Sequence, residues 1–204
     1  MNKKYEFVEG DTKIAPNGAT LHRIRALVAI AAIGVQVGDL GGYIEKEDNL
    51  SQVSGNAWVS DNAWVFGNAW VFGNALVSGD ALVSGDAQVS GNARVYGNAW
   101  VFGNARVYGN ARVYGDARVE LRGHVGWFSI VGSENGTLTW FRTKDGISVN
   151  RGCFYGTLEE FQEAVKKTHG DNRSAQEYQC LIDFIKLRSA EFKYEAQPEK
   201  MNIS

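Results

Sequence analysis

Residues 55–120 read GNAWVS-DNAWVF-GNAWVF-GNALVS-GDALVS-GDAQVS-GNARVY-GNAWVF-GNARVY-GNARVY-GDARVE, eleven six-residue units without an insertion. Valine recurs at every sixth position from Val53 to Val119, and alanine stands two residues before each valine from Ala57 to Ala117. In an extended chain, residues two apart point to the same side. Alanine and valine therefore share one side, and the two variable positions share the other. The Gly-Asn/Asp pair suits a corner, because both residue types tolerate a positive φ that a β-branched residue resists. Each unit is then a short strand plus a turn, and such repeats build solenoids whose neighbours complete one another's core.

Charge is unevenly spread along this array. Residues 51–90 hold Asp61, Asp80 and Asp86 and no Lys or Arg, whereas residues 91–122 hold Arg94, Arg106, Arg112, Arg118 and Arg122 against Asp116 and Glu120. The whole chain has a net charge of −2, which gives no reason to expect nucleic-acid binding. Two cysteines, Cys153 and Cys180, are too few for a disulfide framework. The apolar run Ala26–Ile33 is too short to span a bilayer and reads as a buried strand. No secretory signal is evident, so the expected location is the cytoplasm, with no membrane association.

Three segments follow. Residues 1–50 read as an N-terminal β cap, with strands at Tyr5–Val8 and Ala19–Ala26 and an irregular turn at Gly38–Gly42. A cap is required because stacked strands leave unpaired backbone at both ends. Residues 51–120 are the array. Residues 121–204 read as an α+β unit with strands Val125–Val131, Thr137–Arg142 and Ile147–Val149. The capping box at Thr157–Glu160 opens one helix there, and Tyr178, Leu181, Ile182 and Ile185 mark a second. The tail after Pro198 reads as unstructured.

The hexads resemble the hexapeptide repeats of left-handed parallel β-helices. That resemblance implies a mainly β fold of about four triangular coils, ~19 Å tall, in which residues 18 apart stack one rung above another. It sorts the outward side chains into three faces. The first carries Trp58, Leu76, Arg94 and Arg112, with Ser60, Ser78, Tyr96 and Tyr114. The second carries Trp64, Leu82, Trp100 and Arg118, with Phe66, Ser84, Phe102 and Glu120. The third carries Trp70, Gln88 and Arg106, with Ser54, Phe72, Ser90 and Tyr108. The flanking motifs resemble a recurrent type of hexapeptide-repeat protein encoded by phages and prophages. They are Thr20–Ala26 with Gly38–Gly42, Arg142–Gly146, Gly152–Phe154, Gly156–Phe161 and Thr168–Asn172. This implies action in a host cytoplasm and brings no established activity.

Acyltransferases of this fold use a histidine as general base and bind acyl-CoA between subunits, and its carbonic anhydrases place three histidines around zinc. The array holds no histidine. A general base needs a group titrating near neutrality, so catalysis is not expected, nor a metal or a cofactor. Two rivals stay open: an acyltransferase drawing its base from His169, and a structural virion or assembly protein. Cys153 and His169 could pair as nucleophile and base, although a buried structural thiol is the plainer reading of Cys153.

Two surfaces carry the functional reading. With alanine and valine inside, Trp58, Trp64, Phe66, Trp70, Phe72, Trp100 and Phe102 must point outward. So many rings exceed an ordinary monomer surface, so self-association or coverage by the terminal segments is expected. The resemblance implies a homotrimer. Arg94, Tyr96, Arg106, Tyr108, Arg112, Tyr114 and Arg118 form the candidate ligand surface. Arginines stacked at one-rung spacing repel unless an anion lies between them, and guanidinium beside aromatic faces suits a phosphate with a stacked base. The expected partner is a small anionic, nucleotide-type ligand or a host protein.

Overall fold

The structure is a computed structural model describing residues 3–53 and 55–194. Ser54 and the tail after Pro198 lie outside the described residues. The architecture is mainly β, a parallel β-solenoid of about four turns with a β cap below and an α+β unit above.

The cap comprises β1 (Tyr5–Ile14), β2 (Thr20–Ala26) and β3 (Leu40–Ile44). Strand β1 pairs antiparallel with β2, with a bulge between Phe7 and Thr12, and β2 pairs antiparallel with β3. Eleven two-residue strands, β4 to β14, run from Trp58–Val59 to Arg118–Val119, one per hexad. Strand β3 lies parallel to the second of them, with Tyr43 opposite Trp64 and Ile44 opposite Val65, so the cap extends one wall of the solenoid.

The 18-residue stacking holds on every wall. Arg112, Arg94, Leu76 and Trp58 share one ladder, Arg118, Trp100, Leu82 and Trp64 a second, and Arg106, Gln88 and Trp70 a third. Amide N–H groups donate to carbonyls in the next coil, as from Trp64 to Ala81 at 2.9 Å and from Arg94 to Ala111 at 2.9 Å. Every inner alanine and valine from Ala57 to Val119 is at most 1% exposed. Corner glycines from Gly55 to Gly115 hold φ between 58° and 69°. The one corner without glycine has Asp61 at φ 57°, whose Oδ2 accepts from the amide of Gly79 in the coil above.

The lower end departs from the strict hexad reading. Val53 is 70% exposed, and Leu50, fully buried, bridges Val71 in its place. A 3₁₀ turn at Glu47–Asn49 delivers Leu50 to the rung three residues early, which leaves Val53 in a loop. The tube floor is closed by Tyr5, Ile24, Ile44 and Leu50, with Tyr5 Oη donating to the Leu50 carbonyl at 2.9 Å. The run Ala26–Ile33 is not a buried strand. After Ala26, the last residue of β2, it forms a mostly exposed turn with a 3₁₀ segment at Ala31–Ile33, in which Ile30 is buried in the core and Ile33 packs partly against it. Gly41 and Gly42, expected in a turn, lie inside β3.

The upper unit is a four-stranded antiparallel sheet of β15 (Val125–Val131), β16 (Gly136–Arg142), β17 (Ile147–Arg151) and β18 (Phe154–Thr157), with α1 (Leu158–His169) and α2 (Arg173–Ser189). Strand β18 has no counterpart in the sequence reading, because its four residues include Gly156 and lack an alternating apolar pattern. The box at the start of α1 is reciprocal: Thr157 Oγ1 accepts from Glu160 N at 3.2 Å and Glu160 Oε2 from Thr157 N at 2.8 Å. Period-two alternation in β16 ties the parts together. Leu138 and Trp140 face the helices beside Ile182 and Ile185, while Phe141 joins the solenoid core and Thr139 Oγ1 accepts from Arg112 N. Phe141, fully buried, thus plugs the top of the tube.

Candidate functional site

The outward rings divide by height. Trp58 is 2% exposed beneath Tyr5, whose ring meets it edge-on at 6.5 Å. Phe66 is 8% exposed in a cluster with Ala15, Leu21 and Tyr43. Both point out of the coil as expected, but the N-terminal hairpin covers them, so they are not free to form a subunit interface. Trp64 is half-buried against the same cluster, with Lys13 Nζ 5.6 Å from its ring. Trp70 and Trp100 remain open, and Phe72 and Phe102 half-open. Trp70 stacks on Phe72 with centroids 3.9 Å apart.

The seven candidate ligand residues do not form one site. Arg118 lies on the second wall, 4.4 Å over the Trp100 ring, and donates to the carbonyls of Asn98 and Ala117. Its donors are engaged away from the other arginines, so it leaves the candidate set. Tyr114 is equally committed. It stacks on Tyr96 at 4.6 Å, meets Tyr155 at 4.4 Å, and its Oη accepts from Asn150 Nδ2 at 2.8 Å. Burial raises its phenol to about 12 and raises that of Tyr96 as well, so both stay protonated near neutrality. Tyr114 buttresses the upper unit and has no free face for a ligand ring, while Tyr96 shares a small hollow of about 250 Å³ on the first wall with Arg94 and Arg112.

Two larger clefts each lie between a solenoid wall and the upper unit. On the third wall Arg106 and Tyr108 face Arg122, Trp127 and, from α2, Arg188 across about 630 Å³. Trp127 meets Tyr108 edge-on at 4.3 Å, and Phe128 and Phe184 meet at 5.5 Å as an apolar wall. Gly126 forms part of the lining, and a Cβ there would stand 2.6 Å from Trp140 Nε1. That indole N–H is buried and has no hydrogen-bond partner among the described residues. The cleft lining contains three guanidiniums and no carboxylate. On the first wall, Arg94 and Arg112 face Arg151 and Thr139 across about 410 Å³. Among the described residues no ion pair involves Arg94, Arg106, Arg112, Arg122 or Arg188.

Sequence reasoning missed Arg122, Arg188, Trp127 and Arg151 as site residues. They converge only once the upper unit is docked, and their spacing carries no local pattern.

The histidines do not assemble a catalytic centre. His124 is buried, and its Nδ1 accepts from the amides of Glu120 and Leu121, a structural role. Burial and the Arg142 charge lower its pKa. His169 and Cys153 border one depression of about 240 Å³, and no hydrogen bond links them among the described residues. Cys153 is exposed rather than buried, because it sits in the turn between β17 and β18. Among the described residues no group of three or more His, Cys, Asp or Glu could hold a metal ion. No helix among them is long and apolar enough to cross a membrane.

No curated protein matches the chain. Residues 51–67, 87–103, 101–114 and 105–121 match the family model described as YdcK Beta solenoid repeat, and all four stretches fall in the solenoid or at its edges.

Proposed function

We propose that this is a non-catalytic binding protein that sequesters a small anionic, nucleotide-type ligand in the cleft of the third wall. The observation that carries the reading is the meeting of Arg106, Arg122 and Arg188 with the Tyr108–Trp127 ring pair in one cleft free of carboxylates. Guanidinium forks match phosphate oxygens in pairs, and an exposed phenol face accepts a stacked base. The volume, about 630 Å³, lies in the range of small-molecule clefts, roughly 300–1,000 Å³, whereas the 240 Å³ depression at Cys153 and His169 falls below it. Binding is therefore favoured over turnover.

The protein acts as a homotrimer in this reading. The rings left uncovered by the cap, Trp70, Phe72, Trp100 and Phe102, lie on two adjacent walls and supply an apolar surface for neighbouring subunits. The phage-type resemblance of the flanking motifs supports a role in a host cytoplasm, removing a nucleotide signal from circulation.

Native mass spectrometry of the protein recovered from host lysate tests both parts. The expected species is three chains carrying a nucleotide-sized anion, with Trp70→Glu plus Trp100→Glu yielding monomers. Trimers that stay empty across a nucleotide panel contradict the ligand. Turnover of acyl-CoA that disappears in His169→Ala would replace this reading with the enzymatic one.

A further inference from the structure

We propose that the first wall carries a second, independent anion site, built to take a phosphoryl or sulfuryl group without an aromatic ring. It begins with a ladder of asparagines along one corner of the solenoid. The amide N–H of Asn56 donates to Asn74 Oδ1 at 3.1 Å, Asn74 Nδ2 donates to Asn92 Oδ1 at 3.2 Å, and Asn92 Nδ2 to Asn110 Oδ1 at 3.1 Å. A backbone N–H can only donate, so Asn74 must turn its oxygen toward Asn56. That choice orients every amide above it in the same sense. The hexads end at residue 120, no further rung accepts from Asn110, and its Nδ2 has no partner among the described residues. A chain of aligned hydrogen bonds polarises its members, which strengthens the donor at its end.

The unspent donor stands beside the arginine ladder. Arg94 and Arg112 are direct rung partners, ~4.8 Å apart along the wall, a spacing at which like charges repel unless an anion intervenes. Arg151 of β17 closes the cleft from the other side with a side chain only 10% exposed. Its Nη2 holds the Val131 carbonyl at 3.0 Å, while its Nε is buried without a hydrogen-bond partner among the described residues. The carboxylate that pairs with it among the described residues, Glu134, lies 3.9 Å away and is 81% exposed, too weakly held to neutralise it. Thr139 Oγ1 already accepts from the amide of Arg112, so its own proton is left to donate.

Arg94, Arg112, Asn110, Thr139 and Arg151 thus line one space of about 410 Å³, and no aromatic side chain lines it. A tetrahedral oxyanion offers several acceptors in a small volume and matches this arrangement, whereas a planar base finds nothing to stack on. The group could arrive as a free ion or as the ester of a small metabolite.

Calorimetric titration of the full chain in phosphate-free, low-salt buffer separates the cases, with inorganic phosphate, inorganic sulfate and glucose 6-phosphate as probes. Saturable binding at the first wall is expected for at least one probe, read as one ion per chain once the third-wall arginines Arg106 and Arg188 are replaced by Gln. The stronger of the ion and the ester identifies the source. Asn110→Asp keeps the oxygen that Asn92 needs but replaces the free N–H with a negative oxygen, and affinity should fall at least tenfold. Arg112→Gln should act in the same direction. Both positions are exposed, so an unchanged melting temperature confirms that the variants fold. All titrations are repeated in Arg106→Gln with Arg188→Gln, which removes two guanidiniums of the third-wall cleft, so that an ion still bound in this background and lost on Asn110→Asp belongs to the first wall. No saturable binding by any probe, or binding that survives Asn110→Asp in the Arg106→Gln, Arg188→Gln background, overturns the proposal.

Discussion

The lower and upper coils share one interior and differ in almost everything outside it. Below, tryptophan fills three consecutive outward positions, Trp58, Trp64 and Trp70; above, arginine fills Arg94, Arg106, Arg112 and Arg118. Behind both runs the same column of alanine and valine, at most 1% exposed. The lower rings are partly covered by the N-terminal hairpin, which buries Trp58 and Phe66, while the upper unit leaves Arg94, Arg106 and Arg112 open beside two clefts. The inner pair and the corner are therefore what every coil shares. The outer pair is free to vary, and what packs over it decides whether it serves stability or recognition.

The sharpest way to break this division is to place a charge on each side of one strand. Val95→Asp puts an unpaired carboxylate inside the tube, at a cost of several kcal/mol, comparable with the ~5–15 kcal/mol total stability of a domain. Far-ultraviolet circular dichroism should show no cooperative melt. Arg94→Asp, one residue away and exposed, should stay within about 1 kcal/mol of the parent. Equal effects from the two would refute the inside–outside assignment.

The contrast between covered and open rings sets the next effect. Trp58→Ala removes a fully packed indole and should cost ~3–5 kcal/mol. Trp100→Ala, at an open position, should cost less than about 1 kcal/mol in the isolated chain. Urea midpoints at unchanged slope measure both. Similar midpoints would mean that the hairpin does not cover the lower coils.

A smaller effect comes from the seam between cap and solenoid. Lys4 is 5% exposed, and its Nζ donates to the Ala57 carbonyl at 2.8 Å. Burial lowers its pKa from 10.5 to about 8. Between those values the unfolded chain holds a proton that the folded chain has released, so stability rises with pH, by roughly 2 kcal/mol from pH 7 to 9.5. Tyr5, its phenol pushed upward chiefly by burial, opposes this only where free tyrosine ionises, above about pH 10. The urea midpoint should climb across the window in the parent and stay level in Lys4→Met. A parent midpoint that falls over the same range would contradict the burial of this amine.

Much of the solenoid was legible because its signal is local and repeated. Period six placed alanine and valine inside, and 18-residue stacking put Arg94 over Leu76 and Trp64 under Leu82. Legibility ended where one part of the chain meets a distant one. Val53 fits the pattern perfectly, yet Leu50 takes its rung because a 3₁₀ turn shortens the path, and hexad spacing carries no trace of that turn. The fate of Trp58 depends on Tyr5, and that of Tyr114 on Asn150 and Tyr155, contacts no local pattern encodes. The candidate clefts were half visible. Arg94, Arg106, Tyr108 and Arg112 stood out in the repeats, while Arg151 and Arg188 came from elements whose docking depends on the alternation in β16.

We propose that the arginine-rich coils, with the upper unit, form a receptor for a small anionic ligand on the third wall. Calorimetric titration with a panel of mono- and dinucleotides, in the parent chain and in Arg106→Glu with Arg188→Glu, tests it most directly. The account predicts saturable binding of at least one nucleotide that the double variant loses without loss of fold. A parent chain that binds none of them, or a double variant that binds as tightly as the parent, would contradict it.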